Sequence, residues 1–187
     1  MKNLMITGYK SNELNIFNMN DKRIFFIKEA IRKRLIPLVE DEGIEWVLIS
    51  GQSGTELWAG EVVLELKEHY EIKLAVITPF LNQEQVWKEE QQSLYQTVVG
   101  QADFYQSLVK KEYEGPYQFK RKDRWFLEKS DACLLLYDEE QEGSPKFFLR
   151  EAEKQDSHFP IFFIQSFDLE EIVREIQENS SDFTYDS

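Results

Sequence analysis

Trp46-Val47-Leu48-Ile49-Ser50-Gly51-Gln52-Ser53-Gly54-Thr55-Glu56 is the stretch on which the fold turns. Its first four residues are an apolar run with no polar alternation, which reads as a short strand buried on both faces. A turn with two glycines follows, and from Thr55 to Lys67 the pattern becomes helical. Strand, tight turn and helix in immediate succession form half of a parallel β-α-β unit. The turn points a row of backbone N–H groups at one spot, where the helix dipole favours a phosphate or a carboxylate. Gly51 and Gly54 permit a close approach of backbone that a Cβ would block. Such turns serve equally to pack a helix on a strand, so the stretch makes nucleotide binding the leading reading without identifying a reaction.

Working outward, the same alternation continues in both directions. Upstream, Leu4-Met5-Ile6-Thr7 reads as the first strand, and Asp21 to Glu42 as a helix with Ile24, Ile27, Ile31, Leu35 and Leu38 on one face. Pro37 is placed to kink its last turns. Downstream, strands are expected at Leu74–Ile77, more weakly at Phe104–Val109, then at Ala132–Tyr137 and Ile161–Ile164. Helices are expected at Gln91–Gln101, Gln118–Lys129, Lys146–Lys154 and Leu169–Ile176. Strands without alternation, separated by helices, predict an α/β fold: a three-layer, doubly wound, mostly parallel, Rossmann-like sheet in the order 3-2-1-4-5-6. One domain is expected over residues 1–178, with a polar, frayed tail over 179–187. Ligands of such sheets sit beyond the carboxyl ends of the strands near the switch between strands one and four. That rim gathers three loops: Gly8-Tyr9-Lys10, Gly51 to Glu56, and Asp138 to Lys146.

Composition narrows the function classes. With 187 residues, 42% of them hydrophobic, the chain can bury a sizeable core. No apolar run approaches the roughly 20 residues of a membrane span, and the start of the chain turns polar too soon for a signal peptide, so no membrane association and a cytoplasmic location are expected. The net charge of −13 argues against nucleic acid as a partner. It leaves room for a small phosphorylated ligand, because donors in a cleft outweigh a diffuse, screened surface charge. The single Cys133 lies in an apolar run and reads as a buried thiol, while His69 and His158 are isolated, so no metal site is expected. There is no G-x-G-x-x-G after the first strand and no Walker lysine loop, which argues against a dehydrogenase or a P-loop phosphotransferase.

The candidate site residues cluster on the three loops. Gly8 and Lys10 follow the first strand, and Gly51, Gln52, Ser53, Gly54, Thr55 and Glu56 follow the second. Glu56, in the first turn of its helix, suits a dipole-stabilising acid, a ribose hydroxyl acceptor or a general base. Gly143, Ser144 and Lys146 form a second candidate phosphate loop, or an ordinary Ser-Pro helix start. The run Lys120-Arg121-Lys122-Asp123-Arg124 is the only dense basic cluster, from which one side chain is expected to reach the rim unless the run is simply a solvated face. Tyr9, Phe80 and Trp87 fall near strand ends, where a base could stack.

Together these residues resemble the YpsA family of Gram-positive bacteria, within the superfamily of Lonely-guy phosphoribohydrolases and DprA-type Rossmann proteins. The resemblance runs through Ile6–Lys10, Leu48–Gln52 with Gly54 and Glu56–Trp58, Ala75–Phe80, Lys129–Asp131, Leu135–Asp138 and Glu142–Lys146. It implies a cytosolic Rossmann-like protein with a nucleotide-derived ligand; taken with the rim loops, the expected ligand is a nucleotide or nucleotide-sugar of ADP-ribose type, with no cofactor assigned and a protein partner or homo-oligomer as the expected contact. The Lonely-guy enzymes are similar in their first glycine loop and in an Arg-Lys pair matched by Arg121-Lys122, with Lys122 at the arginine's spacing to Asp131. Their catalytic glutamate falls on Leu149, which cannot move a proton. The resemblance therefore implies a binding module. The alternative is a nucleotide N-glycosidase with Glu56, or Glu151, as the acid/base.

Overall fold

The most apolar run of the chain, Ala132–Leu136, has every residue buried and forms the strand beside the first one. The computed structural model describes residues 1–185, with the side chains of 1–180. Six parallel strands form one sheet: β1 (Asn3–Gly8), β2 (Trp46–Ile49), β3 (Lys73–Thr78), β4 (Phe104–Ser107), β5 (Ala132–Leu136) and β6 (Ile161–Ile164). The helices between and after them are α1 (Lys22–Glu42), α2 (Thr55–Leu66), α3 (Glu89–Gln101), α4 (Tyr117–Lys129), α5 (Pro145–Gln155) and α6 (Ser166–Tyr185). A 3-10 turn over Asn12–Leu14 follows β1. The fold is thus α/β and Rossmann-like, as the periodicities predict.

The strand order is β4-β3-β2-β1-β5-β6, which corrects the expected 3-2-1-4-5-6. The weak strand β4 lies at the outer edge against β3, and β5 takes the place beside β1. Burial explains the exchange. Phe104 and Tyr105 are about half exposed, and a strand with exposed residues on both faces cannot occupy the middle of a sheet covered on both sides. The switch point therefore falls between β1 and β5.

Right-handed crossovers put α1, α2 and α3 on one face of the sheet and α4 and α5 on the other. The packing agrees: α1 touches α2 and α6, α2 touches α3, and α4 touches α5. Gly60 on α2 lets the helix approach β2, since a Cβ there would lie 3.1 Å from Ile49 Cδ1. Asp21 caps α1 by accepting from the Arg23 amide, and α1 continues through Pro37. The last helix runs past its expected end at Ile176 to Tyr185. The polar stretch expected to fray is therefore helical as far as Tyr185, and residues 186–187 lie outside the described residues. Cys133 is fully buried, and burial raises its thiol well above the usual range. Among the described residues no helix is long and apolar enough to cross a membrane.

Candidate functional site

Beyond the carboxyl ends of β1, β2 and β5, on the α4 and α5 side, lies a cavity of about 410 Å³. It lies within the size range of ligand pockets. Six of the residues singled out in the sequence line it: Gly8, Lys10, Gln52, Glu56, Lys122 and Ser144. Thr7, Pro116, Phe119, Lys120, Asp123, Pro145, Phe147 and Phe148 complete the wall. The other predicted site residues lie elsewhere. Ser53 and Gly54 face a separate cavity, and Gly51, Thr55, Gly143 and Lys146 line neither.

Glu56 forms part of the floor. It is 4% exposed, and one carboxylate oxygen accepts from the Ser50 amide at 2.5 Å and the Ser50 hydroxyl at 2.8 Å. The other accepts from Thr7 Oγ1 at 3.0 Å. Burial raises the Glu56 pKa, while Lys122, Ser50 and Thr7 pull it back. These three donors fix the carboxylate at the ends of β1 and β2. Beside it, the Lys122 ammonium pairs with Asp123 at 2.8 Å. Burial works against the charge on Lys122, but Asp123 and Glu56 outweigh it and hold its pKa above the usual value. The floor is therefore a fixed array of two carboxylates and one cation.

Lys10 and Lys120 add positive charge to the walls. Lys10 Nζ lies 5.9 Å from the Phe119 ring centroid, and Lys120 lies 3.5 Å from Glu151. Glu151 is 5% exposed and also meets Arg124 at 3.3 Å, so it ties α5 to α4 and does not face the cavity as an acid/base. Arg121 points to a different depression with Lys110 and Lys111, so Lys122 is the member of the pair that reaches the site. Leu149 packs against the hydrophobic core.

The glycine turn has a structural cause as well as a free donor row. A Cβ on Gly54 would lie 2.5 Å from the Ser11 amide nitrogen and 2.7 Å from Tyr9 O, and its φ of +97° is one that side chains rarely adopt. Gly54 thus lets α2 close on the loop after β1. Thr55 seals that contact, donating both its amide (3.1 Å) and its hydroxyl (2.8 Å) to Tyr9 O. Gly51 packs against Tyr95 and Gln83, and Gln83 Nε2 donates to Ser50 O. The amides of Gly51, Gln52, Ser53 and Gly54 donate to no acceptor among the described residues.

The second predicted phosphate loop is already clamped by the loop after β1. Glu13 accepts from the Ser144 amide at 2.6 Å, the Ser144 hydroxyl at 2.7 Å and the Lys10 amide at 2.9 Å. Tyr9 reaches across to Asp138 and Gln141, and Gly143 is required because a Cβ would lie 2.7 Å from the Tyr9 ring. Lys146 stacks on Phe147 at 5.4 Å. The aromatics expected to stack on a base are core residues: Tyr9 is 3% and Phe80 8% exposed, and Trp87 sits edge-on to Tyr95. The cavity instead presents Phe119, Phe147 and Phe148.

The lining residues not singled out in the sequence are Thr7, Pro116, Phe119, Pro145, Phe147 and Phe148, from a strand end and from α4 and α5. Pro116, Phe119, Lys120 and Asp123 follow one another at helical spacing and so share one face. The spacing of that stripe is legible in the sequence, but its facing a cavity is not. Thr7 carried no signal beyond its place at a strand end. Among the described residues no group of three or more His, Cys, Asp or Glu side chains is placed to hold a metal.

Comparison with known proteins adds a family match, two sequence relatives and a fold neighbour. The YpsA family model, described as the YspA SLOG family, matches residues 4–169. The UPF0398 protein YpsA of Bacillus subtilis is 52% identical over 178 residues, covering 94% of this chain and 98% of the relative. A UPF0398 protein of Bacillus licheniformis is 53% identical over 178 residues, covering 94% and 97%. Among solved structures, DNA processing protein A from Helicobacter pylori, described for its single-stranded DNA binding mode, superposes with a TM-score of 0.57 at 14% identity. That superposition covers 95% of this chain and 81% of the other.

Proposed function

The chain belongs to the YspA SLOG family, and from that premise we propose that it is a binding module for a nucleotide or nucleotide-sugar of ADP-ribose type. One observation carries the reading: the cavity at the β1–β5 switch point combines three lysines, a fixed carboxylate floor and a phenylalanine wall. Phosphate oxygens suit Lys10, Lys120 and Lys122, a base suits the Phe119 and Phe147 rings, and a ribose hydroxyl suits the remaining lone pair of Glu56 or the free Gln52 side chain. The apolar Leu149, in the place expected for a catalytic glutamate, argues for binding over N-glycosidic turnover. Occupancy of the cavity would be felt by α4 and α5, the surface through which a protein partner or a second copy would respond.

The test is calorimetry with ADP-ribose, ADP and AMP, paired with thermal shift. A ligand at 100 times its Kd should stabilise the fold by about 2.7 kcal/mol. Lys10→Gln should weaken binding roughly 5-fold, since it removes one charged contact without unpairing a buried carboxylate. No binding by any of the three, or unchanged affinity in Lys10→Gln, rejects the reading.

A second reading is favoured by the cavity mouth. Phe147 is half exposed and has Lys146 at 5.4 Å and Arg150 at 5.8 Å from its ring, an arrangement on which an unstacked base of a single strand could lie. The fold neighbour is described as binding single-stranded DNA, so the comparison gives no support to excluding nucleic acid. Oligonucleotide affinity that falls steeply with salt and is lost in Phe147→Ala would favour this reading. Absence of binding at low salt removes it.

A further inference from the structure

On the other flank of the glycine turn a second cavity of about 350 Å³ opens, and it shares no lining residue with the first. We propose that it is a second binding site, for a small organic oxyanion with an apolar body: a carboxylate or a phosphate monoester. Ser11 and Ser53 line it and are only 5% and 7% exposed. Neither hydroxyl has a hydrogen-bond partner among the described residues, and neither is sealed from solvent. Open at the hydroxyl although buried as residues, the two serines present to one cavity hydrogen-bonding capacity that the protein does not use for itself.

The surrounding groups define the chemistry. Gly54 brings Ser11 and Ser53 together, because its missing Cβ lets the turn press against the Ser11 amide. The amides of Ser53 and Gly54 donate to nothing among the described residues and stand at the positive end of the 12-residue α2. Lys88 lines the same cavity with its ammonium 5.5 Å from the Phe17 ring. Glu89 and Glu90 also line it, but they are exposed and lie in the first turn of α3, where they neutralise that helix's own dipole. The anion's place is therefore at the α2 end. Ile16, Leu57, Trp58 and Leu94 provide the apolar wall for the rest of the ligand.

The experiment is a ¹⁵N NMR titration with two probes, phenyl phosphate and benzoate, which distinguish the two headgroups. The amides of Ser11, Ser53 and Gly54 and the Trp58 indole should shift saturably with at least one probe, while Lys122 and Phe119 stay still. Ser11→Ala and Ser53→Ala should each weaken binding about 2- to 10-fold. Both variants should keep the wild-type Tm, because neither hydroxyl bonds within the protein. No saturable shift at these residues with either probe, or unaltered affinity in both variants, overturns the proposal. The outcome is independent of the nucleotide titration, which reports on the other cavity.

Discussion

Two glycines show how differently one residue type is used. At Gly54 a side chain would meet the backbone of Tyr9, Lys10 and Ser11 at 2.5–2.8 Å, with φ at +97°. Gly54→Ala should therefore lower stability by roughly 2–4 kcal/mol, combining backbone strain with overpacking. At Gly100, within α3, a Cβ would meet nothing within 4 Å. Gly100→Ala should raise stability by about 0.5–1 kcal/mol. Urea midpoints check both, and equal effects at the two positions would refute the packing account. The sequence revealed that residues 51–54 form a turn needing glycine. It could not reveal that Gly54 answers first to the protein's own backbone, because the loop it touches lies more than forty positions earlier in the chain. Glu56 is similar: its place at a helix start was legible, but its three donors come from the ends of two strands.

Elements were legible where hydrophobic period was strong, as at α1, β2 and β5, and least so where contacts are made by ends. β1 and β5 illustrate the second case. The Asp131 carboxylate, just before β5, accepts from the Lys2 and Asn3 amides at 2.8 and 2.9 Å and sets the register in which Leu4 pairs Ala132. The bonds to Asn3 and Lys2 hold its pKa below the ordinary aspartate range. A depressed carboxylate contributes stability that is present above its unfolded pKa and lost as pH falls through the folded one. Asp131→Asn should thus cost about 1 kcal/mol at pH 7, reduced from the usual charged hydrogen bond by exposure. The difference from wild type should shrink as pH falls below about 4, and keep shrinking as acid protonates the folded carboxylate. Urea titrations across that range provide the check, and a constant difference would show that the charge is irrelevant. The same logic applies to the α4 stripe: a helix face acquires meaning only when its surroundings are known, and these are α5 and, across the cavity, the end of β1 and Glu56.

For the molecule as a whole, the parallel, doubly wound architecture followed from strands without alternation, while the order of strands did not. Period says that a segment is a strand. Only relative burial says where in the sheet it belongs, and the exposed Phe104 and Tyr105 mark β4 as an edge. Native-state hydrogen exchange should find β4 amides exchanging at least about 10-fold faster than those of β1 and β5, since an edge strand with few buried contacts opens locally. Equal protection across the sheet would contradict this placement. The central position of β1 also bears on how the chain is made. Its neighbour on one side, β2, is translated soon after it, but its neighbour on the other, β5, is encoded more than 120 residues later. During synthesis a half-sheet of β1 to β4 can assemble while the inner margin of β1 still lacks its mate, leaving Leu4, Met5 and Ile6 beside an open ladder. Ribosome-bound chains stopped before Ala132 should consequently be the forms of this protein most avidly held by chaperones, and release should coincide with the emergence of Ala132–Leu136 from the exit tunnel.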